Sequence, residues 1–298
     1  MSGYRVAFLG PKGTYTHQAT NQEFPTDDKS VEIFPQKSIS ECFQTLNDKK
    51  VDYAIIPFEN STNGQVVYTY DLLRDWFSKE CSFRIVAEQF VAIHHCVLTR
   101  AKSWTDVKRV YSHPQVWGQV TEFAGEHLVG HDIQREDVSS TSRAAELVYE
   151  DKTNTTACIS SSMSADIYNL PTMFANIEDI ANNTTRFLVL GYDAPPSASD
   201  KDKENENASY VTSMLFTLNH DDSGALCTAL DILRKHDVNL TSINSRPSHL
   251  KQWQYVFFAE VHGNLYKDEN VKEGLKELAD KCQLTILGSF KRNWRYYK

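Results

Sequence analysis

Asn182-Asn183-Thr184-Thr185-Arg186-Phe187-Leu188-Val189-Leu190-Gly191 brings a polar, hydroxyl-rich loop directly into an apolar run. Residues 188–190 can anchor a strand in a sheet, while Thr185 and Arg186 at its mouth offer a hydroxyl donor and a fixed, planar cation. A capped turn before an ordinary strand explains the same residues, because Asn and Thr are common turn formers. What the remainder of the chain brings to this place decides between the two.

Upstream of that stretch, short β-rich runs alternate with helical patterns. Residues 5–9 form a strand, and Gly10-Pro11-Lys12-Gly13-Thr14 opens a helix reaching toward Phe24. Residues 31–34 give a second strand. The next helix starts at Ser38-Ile39-Ser40-Glu41, an S-x-x-E capping box, with Ile39, Cys42, Phe43 and Leu46 on one face. DYAIIP (52–57) reads as a strand buried on both faces. This β-α-β-α-β order predicts an α/β fold with a mainly parallel sheet, whose ligands bind beyond the carboxyl ends of its strands.

Two loops sit at those ends. The 10–16 loop presents backbone N–H groups at a helix start, suited to a carboxylate or phosphate. It matches neither GxxxxGK[ST] nor GxGxxG, so a nucleotide is not implied. PFENSTNGQV (57–66) is dense in donors and acceptors. A second α/β unit is expected from about residue 83, with strands over 83–92, 95–99 and 107–111. Ser112-His113-Pro114-Gln115 follows, where Pro114 suits a first helical turn and His113 could serve as a general base but, placed before a helix-starting proline, reads first as structural. Gln119, seven residues after Ser112, can face the same opening. A helix capped by 139–142 and a strand over 156–160 complete this unit.

Residues 194–207 are proline-rich and then charged, without an apolar anchor, and read as a linker. Beyond them the order is strand 210–218, helix 224–236, strands 239–244 and 254–261, helix 271–282 and strand 284–290. That is the split βαβ, or ferredoxin-like, arrangement. The final run KRNWRYYK (291–298) reads as a solvated extension of the last strand.

The chain has 298 residues, enough for about two domains of roughly 150 residues each. A formal net charge of −8 argues against nucleic acid or anionic membrane as a partner, because both call for a basic face. The six cysteines, at 42, 81, 96, 158, 227 and 282, have neither CxxC nor metal-ligand spacing and read as reduced, mostly buried thiols. No metal or cofactor is implied. The absence of an early targeting pattern or a membrane-length apolar run predicts a cytoplasmic protein. Sequons beginning at Asn60 and Asn183 agree, since glycans there would block a cleft.

The motifs FLGPKGTYTHQA (8–19), PFENSTNGQV (57–66), YSHPQ (111–115), NNTTRF (182–187), GAL (224–226) and NLTSINSRP (239–247) stand in an order that resembles prephenate dehydratases with a C-terminal ACT regulatory domain. The resemblance covers the whole chain. It implies a two-lobed catalytic domain over 1–193, similar to type-2 periplasmic binding proteins, with lobe 1 at about 1–82 plus 174–193 and lobe 2 at about 83–173. The ACT domain would occupy 208–298.

The implied reaction removes CO₂ and water from prephenate, giving phenylpyruvate for L-phenylalanine biosynthesis, with phenylalanine as feedback effector. Such chemistry calls for oriented donors rather than a nucleophile, metal or cofactor. By resemblance Thr185, Asn60, Ser112 and Gln119 are catalytic, with Thr185 a donor to the departing oxygen. Gly10, Gly13, Thr14, Glu59, Ser61, Gly64, Arg186 and Phe187 would bind substrate, Arg186 holding a carboxylate. Gly224, Ala225, Leu226, Asn239, Leu240 and Asn244 would bind the effector across an interface of a homodimer or homotetramer.

Three departures stand out: Val120 replaces a frequent cysteine, Asn244 the glutamate of ESRP, and Lys291 the proline of GSYPR. Arogenate dehydratase, acting on the amino-acid analogue, and a non-catalytic amino-acid-sensing protein with the same lobes remain the alternatives. A purely structural protein would not need polar loops gathered at strand ends.

Overall fold

The computed structural model of the chain describes residues 3–24, 30–79, 81–195, 209–219 and 222–297. Three sheets organise these residues. The first runs Val31–Gln36, Tyr4–Leu9, Tyr53–Asn60, Thr184–Gly191, Arg84–Ala92, with the short Gly64–Gln65 beside Tyr53–Asn60. Its first three strands are parallel, as the β-α-β-α-β order requires. Thr184–Gly191 is antiparallel to both neighbours, so the sheet is mixed rather than mainly parallel. The reason is topological: this strand returns from the second unit and must run back against the strands it joins.

The second sheet is ordered Thr172–Phe174, Cys96–Thr99, Thr156–Ser160, Arg109–Ser112, Gln134–Asp137. Arg84–Ala92 lies in the first sheet, so the chain crosses after Ala92 and not near residue 83. It returns between Phe174 and Thr184. Local signals hold with one adjustment: Ser38 accepts the Glu41 N–H at 3.1 Å, but the Glu41 carboxylate reaches the N–H of Lys37, one residue outside the box.

The third unit follows the order β-α-β-β-α-β, and its four strands are all antiparallel, in the spatial order Leu240–Pro247, Tyr255–His262, Tyr210–Thr217, Gln283–Lys291. Alternation along Tyr210–Thr217 sends Met214 and Phe216 under the helices Ala225–Lys235 and Glu269–Ala279, while Leu215 points to the other face. There Leu215, Phe258, Leu287 and Phe290 join Ile56, Tyr70, Phe83 and Leu188 of the first unit in one core. The third unit is therefore docked by its sheet. Of the expected linker, residues 196–207 lie outside the described residues.

The C-terminal run is not a solvated extension. Arg292 and Asn293 are buried against Glu88, and the turn Trp294–Tyr297 places Tyr296 beside Phe90, ring centroids 5.8 Å apart. All six cysteines are free, four of them buried. Among the described residues no group of acidic, His or Cys side chains is arranged to hold a metal, and no helix is long and apolar enough to cross a membrane.

The docking depends on a close backbone approach at Gly288, where a Cβ would stand 2.0 Å from the Ile85 carbonyl oxygen. Gly288→Ala is expected to lower unfolding stability by about 1–3 kcal/mol, as overpacking does. Denaturant titration checks this, and an unchanged midpoint would mean that the strands do not approach so closely.

Candidate active site

The paired strands Tyr53–Asn60 and Thr184–Gly191 set Thr185 opposite Asn60 and Arg186 opposite Glu59. Successive side chains leave a strand on opposite faces, so this one register builds two different polar assemblies. The first is neutral. Asn60 Nδ2 donates to Thr185 Oγ1 at 2.9 Å and to Asn183 Oδ1 at 2.6 Å, while Asn60 Oδ1 accepts the N–H groups of Thr62 and Asn63. Every polar atom of the Asn60 amide is thus committed. Thr185 oxygen is held as an acceptor, and among the described residues no acceptor takes its hydroxyl proton.

The cluster crosses to the second unit. Gln119 Oε1 accepts from Asn183 Nδ2 at 3.4 Å and lies 2.7 Å from His95 Nε2. His95 is buried on the crossing segment after Ala92, and its Nδ1 is 3.2 Å from the Tyr15 hydroxyl. Glu178, on the return crossing, accepts the His95 N–H and contacts His94 Nδ1 at 2.6 Å. Burial disfavours the Glu178 carboxylate, yet these bonds outweigh it and lower its pKa. Both crossings between the units are therefore pinned beside the cluster.

On the opposite face, Arg186 is 4 % exposed and ringed by carboxylates. It meets Glu260 through two parallel 2.8 Å bonds, Glu59 at 2.8 Å and Glu88 at 2.8 Å, and stacks near Phe58 and Phe90. Glu260 comes from the third unit, and Arg292 adds a second cation to Glu88 at 3.0 Å. Burial opposes charge on both Arg186 and Glu260. Mutual attraction wins: the Arg186 pKa rises and that of Glu260 falls.

A family profile described as prephenate dehydratase matches residues 6–195, which include the whole neutral cluster and, of the ion network, Glu59, Glu88 and Arg186 but not Glu260 or Arg292. The chain belongs to the prephenate dehydratase family. A probable prephenate dehydratase of Saccharomyces cerevisiae is 37% identical, with 98% of each chain covered. The solved structure of prephenate dehydratase in complex with L-Phe from Arthrobacter aurescens superposes with a TM-score of 0.80 at 28% identity, covering 96% of this chain and 89% of that one. GqqA, described as a novel type of quorum quenching acylase, also has a TM-score of 0.80, at 26% identity and 99% coverage of both chains.

Placed on this fold, the residues expected from sequence separate into groups. Thr185, Asn60 and Gln119 meet in the neutral cluster. Ser61 supports them, accepting the Thr184 N–H at 2.9 Å, and Gly64 pairs with Asn60 at a φ of 77°. Ser112 is fully buried and gives its hydroxyl proton to the Ile159 carbonyl, which joins it to the second sheet and not to the cluster. His113 caps its helix, as the sequence suggested.

Arg186 does not face the cleft, because the strand alternation that points Thr185 inward turns it and Glu59 into the ion network. Phe187 is 1% exposed and packs in the core among Phe8, Ile55 and Val189. In the glycine loop, the Gly13 N–H is taken by His17 Nδ1 at 3.1 Å, and the Gly13 carbonyl accepts from Ser161 and Ser164 of the second unit. Gly10 packs on Pro35, and Thr14 caps its helix. Asn183, His95 and Tyr15 were not anticipated. A buried histidine inside the apolar run VAIHHCVL was the available signal, since buried polar groups are the informative exceptions.

Arg186→Leu leaves Glu59, Glu88 and Glu260 with Arg292 as the remaining cation, a loss of about 3–5 kcal/mol at neutral pH. In the wild type the depressed Glu260 pKa contributes stability above the unfolded value near 4.5, lost as pH falls through the folded value. In the variant Glu260, buried without its guanidinium partner, favours its protonated form. The deficit should therefore shrink on acidification below about pH 5, as the wild type loses the Glu260 contribution and the variant's Glu260 protonates. Urea midpoints across pH measure this; a variant of normal stability with only a raised KM would return Arg186 to substrate binding.

Proposed function

We propose that the chain converts prephenate to phenylpyruvate, CO₂ and water, with the Thr185 hydroxyl as the donor to the departing oxygen. The observation that carries this is the orientation of the cluster. Asn60 Nδ2 donates to the Thr185 oxygen, whose proton no described residue takes, and Gln119 Oε1 accepts from Asn183 and meets His95 Nε2, which leaves the Gln119 NH₂ without a partner among the described residues. Decarboxylation delivers an electron pair to the ring as the C–O bond breaks, and the oxygen leaves as water on taking one proton. A hydrogen bond from Thr185, whose own oxygen is polarised by Asn60 Nδ2–H, strengthens as negative charge grows on the leaving oxygen.

Acyl transfer, the activity described for the GqqA structure, needs a nucleophile beside a base. Thr185 Oγ1 is bonded to an amide nitrogen and Ser112 Oγ to a backbone carbonyl, and neither partner can accept a proton in that role. The geometry at these two hydroxyls supports dehydration.

With Arg186 enclosed, we assign the substrate's unreacting carboxylate to Lys12, exposed on the loop whose carbonyl is bonded by Ser142 of the second unit. For regulation, residues 208–298 are read as an ACT unit binding phenylalanine near Gly224, Ala225, Leu226, Asn239 and Leu240. Gly224 holds a φ of 78° at the start of helix Ala225–Lys235, a conformation suited to glycine. Asn244 has a different part in this reading, since its amide binds Tyr70 and Gln65 of the first unit. Exposed Ile243, Leu250, Trp253 and Tyr255 offer an apolar surface for pairing two such units.

Thr185→Val is expected to lower kcat on prephenate by at least about 10²-fold, the scale for one oriented donor, with little change in unfolding. Near-normal turnover in a folded variant would remove Thr185 from the chemistry. Lys12→Met should raise KM by about tenfold with kcat nearly unchanged, because a contact to an unreacting group binds ground and transition states alike. A KM that stays put assigns the anion to backbone donors.

A further inference from the structure

We infer that His95 is a positioning residue for this reaction, acting through Gln119, an inference that rests on the dehydratase reading. The hydrogen-bond directions decide its form. Asn183 Nδ2 can only donate, so the Gln119 atom it meets at 3.4 Å must be the carbonyl oxygen. The same oxygen lies 2.7 Å from His95 Nε2, which must then carry a proton. Nδ1 is left as an acceptor 3.2 Å from the Tyr15 hydroxyl, whose single proton it shares with the His94 carbonyl, the nearer acceptor at 2.9 Å.

Burial lowers the His95 pKa, with the Gln119 bond and Glu178 opposing, which fits a neutral ring in this tautomer. A buried ring with one donor and one acceptor thus fixes which end of Gln119 faces substrate. Without it, Asn183 alone holds the Gln119 carbonyl, through the longer of the two contacts. The amide can then rotate and present an oxygen to an anionic substrate, a repulsive contact where a donor is needed. The backbone supports the same role: the His95 N–H is bound by Glu178 and its carbonyl accepts from Ile177, so the residue is clamped between the crossings.

The test compares replacements of His95 in the full-length protein. His95→Gln places an amide N–H near the Nε2 position and can still donate to Gln119, whereas His95→Asn is too short and His95→Leu has no donor. His95→Leu and His95→Asn should lose about tenfold or more in kcat with KM changed less, and His95→Gln should recover most of that loss. In a double-mutant cycle with Gln119→Ala, His95→Leu should cost little further, because the two act on one interaction. Should His95→Leu fail to fold, His95→Asn takes its place in the cycle.

Equal kcat for the Gln and Asn variants, or additive losses in the cycle, would overturn the assignment. Nitrogen NMR of the ring gives a readout independent of turnover. A neutral Nε2–H tautomer in the wild type, whose proton loses its protection from exchange in Gln119→Ala, is expected; an Nδ1–H tautomer or an imidazolium overturns the proposal. Absent prephenate turnover by the wild type would instead count against the dehydratase reading, with the ring measurement still reporting on the His95–Gln119 contact.

Discussion

The Arg186 guanidinium holds three carboxylates that come from two different sheets, Glu59 and Glu88 from the first and Glu260 from the third. A cation buried this deeply is stable only while its partners stay in place, and removing one partner costs far more than the pair contributes net. The strand that carries Arg186 therefore cannot shift against its neighbours without exposing or stranding charge. Thr185 is the next residue on that strand, and Asn60 is the next residue after Glu59. The Thr185 hydroxyl, the proposed donor, is thus held in place by an ion network on the opposite face of the same strand pair.

This arrangement also explains how a third unit can affect a cleft it does not line. Glu260 and Arg292 reach the back of the catalytic strand pair, and Asn244 reaches Gln65 and Tyr70 at its edge. A ligand that shifts the third unit's sheet must move these contacts, and the strand pair is the element that both sites share. If the third unit binds an effector as proposed, coupling of this kind would work in both directions, with substrate altering effector affinity by the same factor.

Much of the architecture is legible in the sequence because its signals are local. The alternating β and helical patterns, the polar mouth of 182–185 and the βαββαβ order each declare themselves within a few residues. What is not legible is long-range. Whether strand 184–191 runs parallel or antiparallel depends on where the chain re-enters the sheet, and the face taken by Arg186 depends on that register. A cation beside a polar loop reads as an anion site until three distant glutamates, at 59, 88 and 260, are brought around it. The basic C-terminal run misleads for the same reason, since Arg292 meets Glu88 across more than two hundred residues. Ser112 and Phe187 sit in the expected motifs, yet their side chains are spent on the second sheet and on the core.

The account stands on one chemical claim, that neutral, pre-oriented donors in this cleft expel water from a ring as it loses CO₂. Side-by-side turnover of prephenate and arogenate by the purified chain tests it most directly. Rapid formation of phenylpyruvate from prephenate, with arogenate turned over at least about tenfold less efficiently in kcat/KM, is the predicted result. Binding of prephenate without phenylpyruvate would contradict it, and a preference for arogenate would contradict the proposed substrate.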